Sequence, residues 1–305
     1  MTKEQLVRLI QEVGLGQIEE QLLQAARPSL RLHLRPADEA AIPIGGTKFG
    51  GGADFPPDSA WPVWQGYPES DRQRYPPGEF STDAGPQEFL LQLRMEDIAD
   101  YDLGGALPKT GILYFFCATW KAALGWDETE SDCWKVFHYD GDLSWLERRW
   151  VAPTGSDWTD QILTCLRIEF EHQWTLPDWN DSVAYEPLEA LLSEYEDSES
   201  EETAYSRLLK LIGQERADDG DPIHRLLGLP QIVQSGRMAN EHHVPSHDRE
   251  WSLLLQLDTE DVYNTRLPDA VTVHWQGSGR GYFYIQTQAL AERNFDAVWV
   301  DMQCT

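Results

Sequence analysis

The sequence predicts an α+β fold: two related, mainly antiparallel sheet units with an N-terminal helix and an acidic helical insert. The first observation is a repeated phrase, because Leu90–Leu93 reads Leu-Leu-Gln-Leu and so does Leu254–Leu257. Each copy leads through a turn-rich stretch to an aromatic run, at Ile112–Phe116 and at Tyr282–Ile285. Second, strand-like runs follow one another at short spacings without regular β-α-β alternation, which favours antiparallel pairing. Third, the length of 305 residues suits two units.

The chain begins with apolar residues at three- and four-residue steps over residues 3–26, a spacing that predicts an amphipathic helix. Gly14 and Gly16 weaken the middle of that helix, so two short helices are the alternative. Leu30–Arg35 then alternates apolar and polar residues, as a strand with one buried face does. Residues 1–28 are therefore a predicted helical segment ahead of the first sheet unit.

A loop-dominated stretch occupies residues 43–87, where glycines and prolines set backbone angles that regular structure rejects. It holds a lysine between two glycine clusters and several aromatic residues. Long loops of this kind inside compact domains are often functional. The residues predicted to bind a ligand, in this loop and in the second unit, are Lys48, Trp61, Trp64, Tyr67, Trp275 and Arg280.

Further strands are predicted from apolar runs bounded by turn residues, and a short helix is predicted at Glu96–Tyr101. The strands lie at Phe89–Leu93, Gly111–Thr119, Trp134–Tyr139, Ile162–Phe170, Trp251–Leu257, Val271–Trp275, Tyr282–Gln286 and Ala297–Met302. The predicted organisation is a first α+β repeat unit over residues 29–177 and a second over residues 225–305, packed together as one globule.

Between these units, residues 178–224 form a predicted acidic insert of two helices joined near Asp197–Glu202. Apolar residues recur there at helical spacing, and carboxylates crowd the remaining positions. A disordered acidic run is the alternative for residues 194–202. The carboxylates predicted to contact a partner are Glu194, Glu196, Asp197, Glu199, Glu201 and Glu202.

The charge of the chain excludes some classes of partner. Acidic residues number 52 against 24 Lys plus Arg, so the formal net charge is −28. Such a field repels nucleic acid and anionic membranes and accelerates encounter with a basic protein, although solubility alone is the simpler interpretation. No apolar stretch approaches a membrane span, and four cysteines without a C-x-x-C pair indicate free thiols in a reducing compartment. We therefore expect a cytoplasmic protein whose partner, if it has one, is basic.

Several motifs, taken in order, resemble the YwqG-like family, a bacterial domain of unknown function. They are Lys48-Phe49-Gly50-Gly51, the Leu90–Leu93 phrase, Pro108 and Gly111 before Tyr114-Phe115-Phe116, Leu253–Asp258, and the closing run from Phe295 to Cys304. The resemblance covers roughly residues 40–305 and implies a duplicated α+β fold with no assigned catalysis. Because some relatives lie near toxin systems, it also implies an immunity or interaction role. One departure is Gln276 after Trp275, where the family has Gly-Asp and more Gly.

The glycine segment around Lys48 is one candidate for chemistry. Backbone N–H groups freed by glycine can cradle an anion, and the lysine adds positive charge. The segment lacks the G-K-[ST] order of a phosphate loop, and no long helix follows it. A structural hairpin whose glycines take positive φ is therefore the favoured interpretation.

A second candidate is the run of histidines at residues 242–247, since imidazole and carboxylate are metal ligands. Pro245 interrupts the helix that would place His243 and His247 on one face. A solvated loop is favoured, and His243, His247 and Asp248 are only weak metal candidates.

No catalytic residue and no cofactor is predicted. The G-x-S-x-G elbow is absent, and Cys117 lies in an apolar run that disfavours a thiolate. The favoured function is a non-catalytic acidic binding protein, in its most specific form an immunity-type protein that neutralises a basic toxin. The alternative is a small-ligand or carbohydrate-binding protein that uses an aromatic cleft between the two halves. A hydrolase or metal enzyme ranks third.

Overall fold

The computed structural model describes residues 1–67, 84–119, 132–152, 162–195, 202–214, 222–234, 251–259, 267, 270–275 and 279–304. These residues form an α+β fold dominated by antiparallel β-structure, which confirms the predicted fold class.

Two short helices open the chain, α1 at Lys3–Glu12 and α2 at Glu19–Ala25. The Thr2 side chain accepts a hydrogen bond from the Gln5 N–H, and the Gln5 side chain accepts one from the Thr2 N–H, so α1 begins with a capping box. Gly14, at φ +90°, separates the two helices because few other residues adopt that angle. The two-helix alternative is therefore confirmed.

Most of the remaining regular structure is strand. The strands are β1 Arg27–Pro36, β2 Lys48–Phe49, β3 Ala53–Phe55, β4 Val63–Trp64, β5 Gly85–Pro86, β6 Glu88–Arg94, β7 Ile112–Cys117, β8 Trp134–Tyr139, β9 Glu147–Arg149, β10 Leu166–Thr175, β11 His224–Leu226, β12 Trp251–Asp258, β13 Arg280–Gln286 and β14 Val298–Gln303. The later helices are α3 Ser182–Leu192, α4 Ala204–Leu211 and α5 Thr287–Ala291.

Ten strands form one sheet in the order β14-β13-β12-β11-β1-β10-β2-β6-β7-β8. The two long strands β1 and β10 pair antiparallel in its centre. We call β2, β6, β7 and β8 the first half of the sheet, and β11, β12, β13 and β14 the second half. Although β1 precedes the first half in the chain, it pairs with β11 of the second half, while β10 pairs with β2 of the first. The order of strands in the sheet thus differs from the order of the two predicted sequence units.

The sheet curls until its two edge strands meet. Trp134 on β8 donates its indole N–H to the Val298 carbonyl on β14 at 2.8 Å, and its ring lies edge-on to Trp299. Inside the curl, Phe115 and Phe283 meet edge to face at 5.5 Å. The main apolar core occupies this concave side and takes residues from both halves.

A second apolar core lies under the four helices α1 to α4, which pack on one another and on the end of β10. The apolar residues on one face of each helix form this second core. Its fully buried members include Leu6, Ile10, Leu22, Leu188, Leu208 and Leu209. The N-terminal helices and the helices of the acidic insert thus share one core.

Two predicted elements differ from the structure. Val271–Trp275 was expected to be a strand, and that prediction is wrong. The segment bonds through single contacts, such as the Trp275 N–H to the Thr259 hydroxyl at 3.0 Å, and not through a ladder. The helix expected at Glu96–Tyr101 is a single 3₁₀ turn at Met95–Asp97. Among the described residues, no helix is long and apolar enough to cross a membrane.

Candidate functional site

Two glutamines, Gln92 on β6 and Gln256 on β12, share two hydrogen bonds in the two halves, and Gln92 donates a further one to the Asp54 carboxylate at 2.8 Å. The Gln92 Oε1 accepts from the Asp54 N–H at 2.9 Å, and the Gln256 Oε1 accepts from the Gln231 N–H at 2.9 Å. Each Nε2 donates to a backbone carbonyl just before β2 or β11, at 2.8 Å in both halves. Both glutamines are fully buried, and both lie in the repeated Leu-Leu-Gln-Leu phrase.

The aromatic strands repeat this correspondence. Tyr114 on β7 donates its hydroxyl to the Asp54 carbonyl, and Tyr282 on β13 donates to the Gln231 carbonyl at 2.7 Å. Tyr114 lies directly opposite Gln92 across the ladder, and Tyr282 lies directly opposite Gln256. Asp54 and Gln231 therefore stand at equivalent positions.

The turns that follow β2 and β11 also match. Gly50 has φ +60° and donates its N–H to the Leu90 carbonyl at 2.8 Å. Leu227 has φ +58° and donates to the Leu254 carbonyl at 3.0 Å. Strands β2 and β11 pair with β6 and β12 in the same register, so that Lys48 lies opposite Gln92 and Arg225 lies opposite Gln256. These cations are equivalent as well.

In the first half the buried cation is neutralised. Lys48 Nζ lies 3.0 Å from a Glu39 oxygen and 3.4 Å from an Asp54 oxygen, and Arg148 Nε lies 2.8 Å from Asp54. We call Glu39, Lys48, Asp54 and Arg148 the Asp54 cluster. Burial raises the pKa of Asp54, but hydrogen bonds from Arg148 and the charge of Lys48 outweigh it, so the net shift is downward. Asp54 therefore stays ionised and holds both cations.

In the second half five buried side chains stand in one row across neighbouring strands. Each faces the next directly in the ladder: Arg31, Arg225, Gln256, Tyr282 and Asp301. We call these five residues the polar row. All five are at most 7% exposed. An array of polar groups this deeply buried is expected to be hydrogen-bonded throughout, so any free group in it requires an explanation.

Arg225 has such free groups. Its Nη1 donates to the Leu229 carbonyl at 2.7 Å, while its Nε and Nη2 are buried without a hydrogen-bond partner. Burial, together with the positive charges of Arg31 and Arg280, lowers the pKa of Arg225 to about 9. The position that Asp54 fills in the first half holds the neutral Gln231, whose Oε1 also has no partner.

One carboxyl group, that of Asp258, borders the polar row, and another, that of Asp301, belongs to it. Asp258 forms an ion pair with Arg280 at 3.2 Å and accepts the Ile223 N–H at 2.9 Å. Asp301 replaces the aromatic ring that Phe137 presents in the first half. Burial raises the pKa of Asp301 to about 7, against weaker opposing hydrogen bonds. The row therefore holds an acid that is protonated at mildly acidic pH.

Two cavities open on this framework. One, of about 790 Å³, lies between α2, α3 and the second half, and its lining includes Asp181, Leu229, Pro230, Ile232, Asp301 and Gln303. The other, of about 580 Å³, lies between β8 and the chain that leads into β14. Its lining includes Trp61, Asp132, Trp134, Lys135, Phe137 and Phe295.

The predicted ligand-binding residues of the long loop lie in different environments. Lys48 is buried in the Asp54 cluster, and the glycines around it at positive φ match the favoured hairpin interpretation. Trp64 and Tyr67 are buried and meet edge to face at 4.9 Å. Trp61 is only partly buried and donates its indole N–H to the Gln87 carbonyl at 2.8 Å. The structure brings Trp61 alone of the three aromatic residues to the smaller cavity.

In the second half, Trp275 is fully buried and packs flat against the backbone of Gly281, where a Cβ would come within 2.4 Å of the indole. Arg280 lies beside the polar row, bonded to Asp258 and to the Gln231 carbonyl. Of the predicted partner-binding carboxylates, Glu194 and Glu202 are exposed at facing ends of the α3–α4 connection.

The other predicted partner and metal residues lie outside the described residues; they are Glu196, Asp197, Glu199, Glu201, His243, His247 and Asp248. In the part of the chain that the structure describes, no group of three or more His, Cys, Asp or Glu side chains is arranged to hold a metal ion.

Sequence reasoning missed Arg225, Gln231, Asp54 and Asp301. A signal existed, because Asp54 stands six residues after Lys48 and Gln231 stands six residues after Arg225. Because the polar residues differ between the two halves, this spacing alone did not single them out.

The chain belongs to the family of the domain of unknown function DUF1963, whose family model matches residues 47–304. This match spans both halves of the sheet, the Asp54 cluster except Glu39, and the polar row except Arg31. The expectation of an uncharacterised family is thereby confirmed, although under a different name from the one predicted. No curated protein matches the sequence significantly.

Proposed function

We propose that this protein works in the cytoplasm by binding, without catalysis, and that its partner is a basic protein. The supporting observation is the outer surface of the helices α1 to α4. Its exposed acidic residues are Glu4, Glu12, Glu20, Glu186, Glu189, Glu194 and Glu202, against the exposed bases Lys3, Arg8, Arg207 and Lys210. We call this surface the acidic helical layer.

Electrostatics give the layer a role in partner choice. A surface with an excess of negative charge speeds the encounter with a positively charged partner and repels negatively charged ones. The net charge of −28 extends this field over the whole molecule, and the connection from Glu194 to Glu202 adds four more acids in sequence. The resemblance to the YwqG-like family supports the most specific version, an immunity-type protein that neutralises a basic toxin.

The test is a pull-down from a native lysate at low and high salt, with bound proteins identified by mass spectrometry. The triple variant Glu186→Lys, Glu189→Lys, Glu194→Lys reverses charge in the layer. Its control is Asp58→Lys, Asp100→Lys, Asp140→Lys, which changes the net charge equally at exposed positions elsewhere. We expect wild type and control to retain a basic protein at low salt that the layer variant loses by tenfold or more.

Equal losses in both triple variants would mean that net charge, and not the layer, attracts the partner. Recovery of no basic protein by the wild type would reject the proposal altogether. High salt is expected to release the partner because the contacts are exposed and therefore screened.

A second candidate function is small-ligand or carbohydrate binding in the smaller cavity. A specific observation favours it: the cavity lies between the halves and combines the rings of Trp61 and Trp134 with the polar Asp132, Lys135 and Asp296. Sugar sites use the same combination of flat aromatic faces and charged hydrogen-bonding groups.

Saturation-transfer NMR with a panel of neutral mono- and disaccharides tests this second candidate. Trp61→Leu is expected to abolish a signal that wild type shows. Trp179→Leu is the control, since Trp179 is 59% exposed and lies outside the cavity lining. Transfer to no sugar, or equal transfer to both variants, would rule the candidate out.

A further inference from the structure

The free edge of the Arg225 guanidinium is the starting point. Nε and Nη2 lie on the same edge of that planar group, and their N–H bonds point in parallel. In Arg225 these are the two nitrogens without a partner, while Nη1 is held by the Leu229 carbonyl. The residue is fully buried, so water does not solvate the edge as it would at the surface. This edge is the one that binds a carboxylate or phosphate through two parallel hydrogen bonds.

The first half shows what is missing. Lys48, at the equivalent position, has Asp54 and Glu39 within ion-pair distance. Gln231 stands where Asp54 would be and carries no charge. A buried cation without a counter-ion strongly destabilises the fold. Because Gln231 is neutral, the negative charge that would balance Arg225 has to come from another source.

The carboxyl groups nearest to the row have other partners. Among the described residues none forms an ion pair with Arg225. Asp258 is held by Arg280 and the Ile223 N–H, and Asp178 accepts the Asn180 N–H. Arg31 and Arg280 add positive charge around Arg225, which the charge of Asp178 and the hydroxyl of Tyr282 oppose.

We propose that the Nε and Nη2 edge of Arg225 binds a small anion that presents two oxygen atoms side by side, a carboxylate or a phosphate. The site is distinct from the acidic helical layer, which attracts cations. Leu229, whose carbonyl accepts from Arg225 Nη1, also lines the larger cavity.

The experiment is a calorimetric and thermal-shift titration of the whole protein with inorganic phosphate and with acetate, at constant ionic strength set by chloride. A ligand that binds only the folded state raises the melting temperature, so specific binding gives a shift that chloride does not. A larger shift with phosphate identifies a phosphate site, and a larger shift with acetate identifies a carboxylate site.

Three variants complete the test. Gln231→Asp installs the counter-ion of the first half, so it is expected to raise the melting temperature of the unliganded protein and to weaken anion binding at least tenfold. Arg225→Lys keeps the charge but removes the parallel pair of donors, and it is expected to weaken binding about tenfold while retaining the fold, as Lys48 does in the first half. Arg207→Gln, at an exposed site, is expected to change neither.

Two results would overturn the proposal: no anion-specific shift in the wild type, or unchanged anion affinity in both Gln231→Asp and Arg225→Lys. If Gln231→Asp does not fold, Arg225→Lys alone decides the outcome. Because the anion titration does not involve the acidic helical layer, it succeeds or fails independently of the proposed basic partner.

Discussion

Lys48 and Arg225 occupy equivalent places in the two halves of one sheet, yet their surroundings differ in charge. The shared part is neutral: a buried glutamine, a tyrosine hydroxyl and a turn with a residue at positive φ. The part that differs is ionic, since Asp54 completes the first site and Gln231 leaves the second without a counter-ion. The comparison teaches that hydrogen bonds to the backbone define this scaffold, and that the charges on it are free to change.

We propose that the two halves arose by duplication. In support, the irregular pairing at Phe89–Leu91 on β6 recurs at Leu253–Leu255 on β12, and irregularities of this kind are specific features of a strand. The long strands β1 and β10 are exchanged between the halves, as in a swapped dimer joined into one chain. Such an exchange makes the two halves interdependent for folding.

The largest expected effect is at Asp54. Asp54→Asn keeps the shape but removes the charge that holds Lys48 and Arg148, so we expect a loss of about 3–5 kcal/mol in the free energy of unfolding. Asp301→Asn is the matched control, because that buried carboxyl forms no ion pair with any described residue. Urea denaturation at pH 8 is expected to show destabilisation in the first variant only. Similar losses in both would break the contrast between the halves.

The next effect concerns pH. Burial raises the pKa of Asp301 in the second half and that of Glu88 in the first half to about 7. The folded state therefore binds more protons than the unfolded state between about pH 4 and pH 7, and stability falls as pH rises through that window. At ~1.4 kcal/mol per pH unit for each group, Asp301→Asn is expected to remove roughly 2–3 kcal/mol of the loss between pH 5 and pH 7.

Denaturation of Asp301→Asn, Glu88→Gln and wild type at pH 5, 6, 7 and 8 measures this slope. Each variant is expected to reduce the pH dependence of the free energy of unfolding by the contribution of the carboxyl that it removes. A profile identical to that of the wild type would mean that the carboxyl is already ionised in the folded protein at pH 5.

A smaller, paired effect is expected at the two glutamines. Gln92→Leu and Gln256→Leu each leave a buried backbone N–H and a buried carbonyl without partners, at a cost of about 1–3 kcal/mol apiece. Gln92 also donates to the Asp54 carboxylate at 2.8 Å, a bond without a counterpart at Gln256 among the described residues, so Gln92→Leu is expected to cost about 1–3 kcal/mol more than Gln256→Leu. Chemical denaturation measures them, and the exposed substitution Gln65→Leu is the control. A loss confined to one variant would show that the halves share geometry but not energetics.

The sequence predicts the scaffold better than the sites. Strand β8 is predicted with its exact bounds, and the Leu-Leu-Gln-Leu phrases are correctly placed in buried strands, because apolar runs report burial directly. The exchange of β1 and β10 is not predictable in this way, since β11 has three residues and β2 two, too few to show a period.

The candidate site was hidden for a different reason. Asp54 and Arg148 are far apart in sequence and meet only because β3 pairs with β9. Arg225 looks like any charged residue until its place opposite Gln256 is known. The chain has so many carboxylates that no pair of them could be chosen as site residues from the sequence. Their burial in the structure is what distinguishes Asp54 and Asp301 from the others.

The smallest expected effect lies where the two halves join. On the central strands, His33 contacts Glu171 at 2.9 Å and Arg35 contacts Glu169 at 3.2 Å. His33 lies directly opposite Glu169 in the ladder, and both ion pairs place the base on β1 and the acid on β10. All four side chains are at least 32% exposed, and exposed ion pairs contribute little because water and salt screen them.

A double-mutant cycle with Arg35→Gln and Glu169→Gln is expected to give a coupling free energy of about 0.2–1 kcal/mol. The value is expected to shrink further in 0.5 M salt, because added salt shortens the Debye length and screens exposed charges. A coupling above about 2 kcal/mol would mean that the junction of β1 and β10 is held by charge. A small coupling free energy would mean that the backbone ladder and the apolar core join the two halves. The pairing of β1 with β10 would then depend on packing and not on charge.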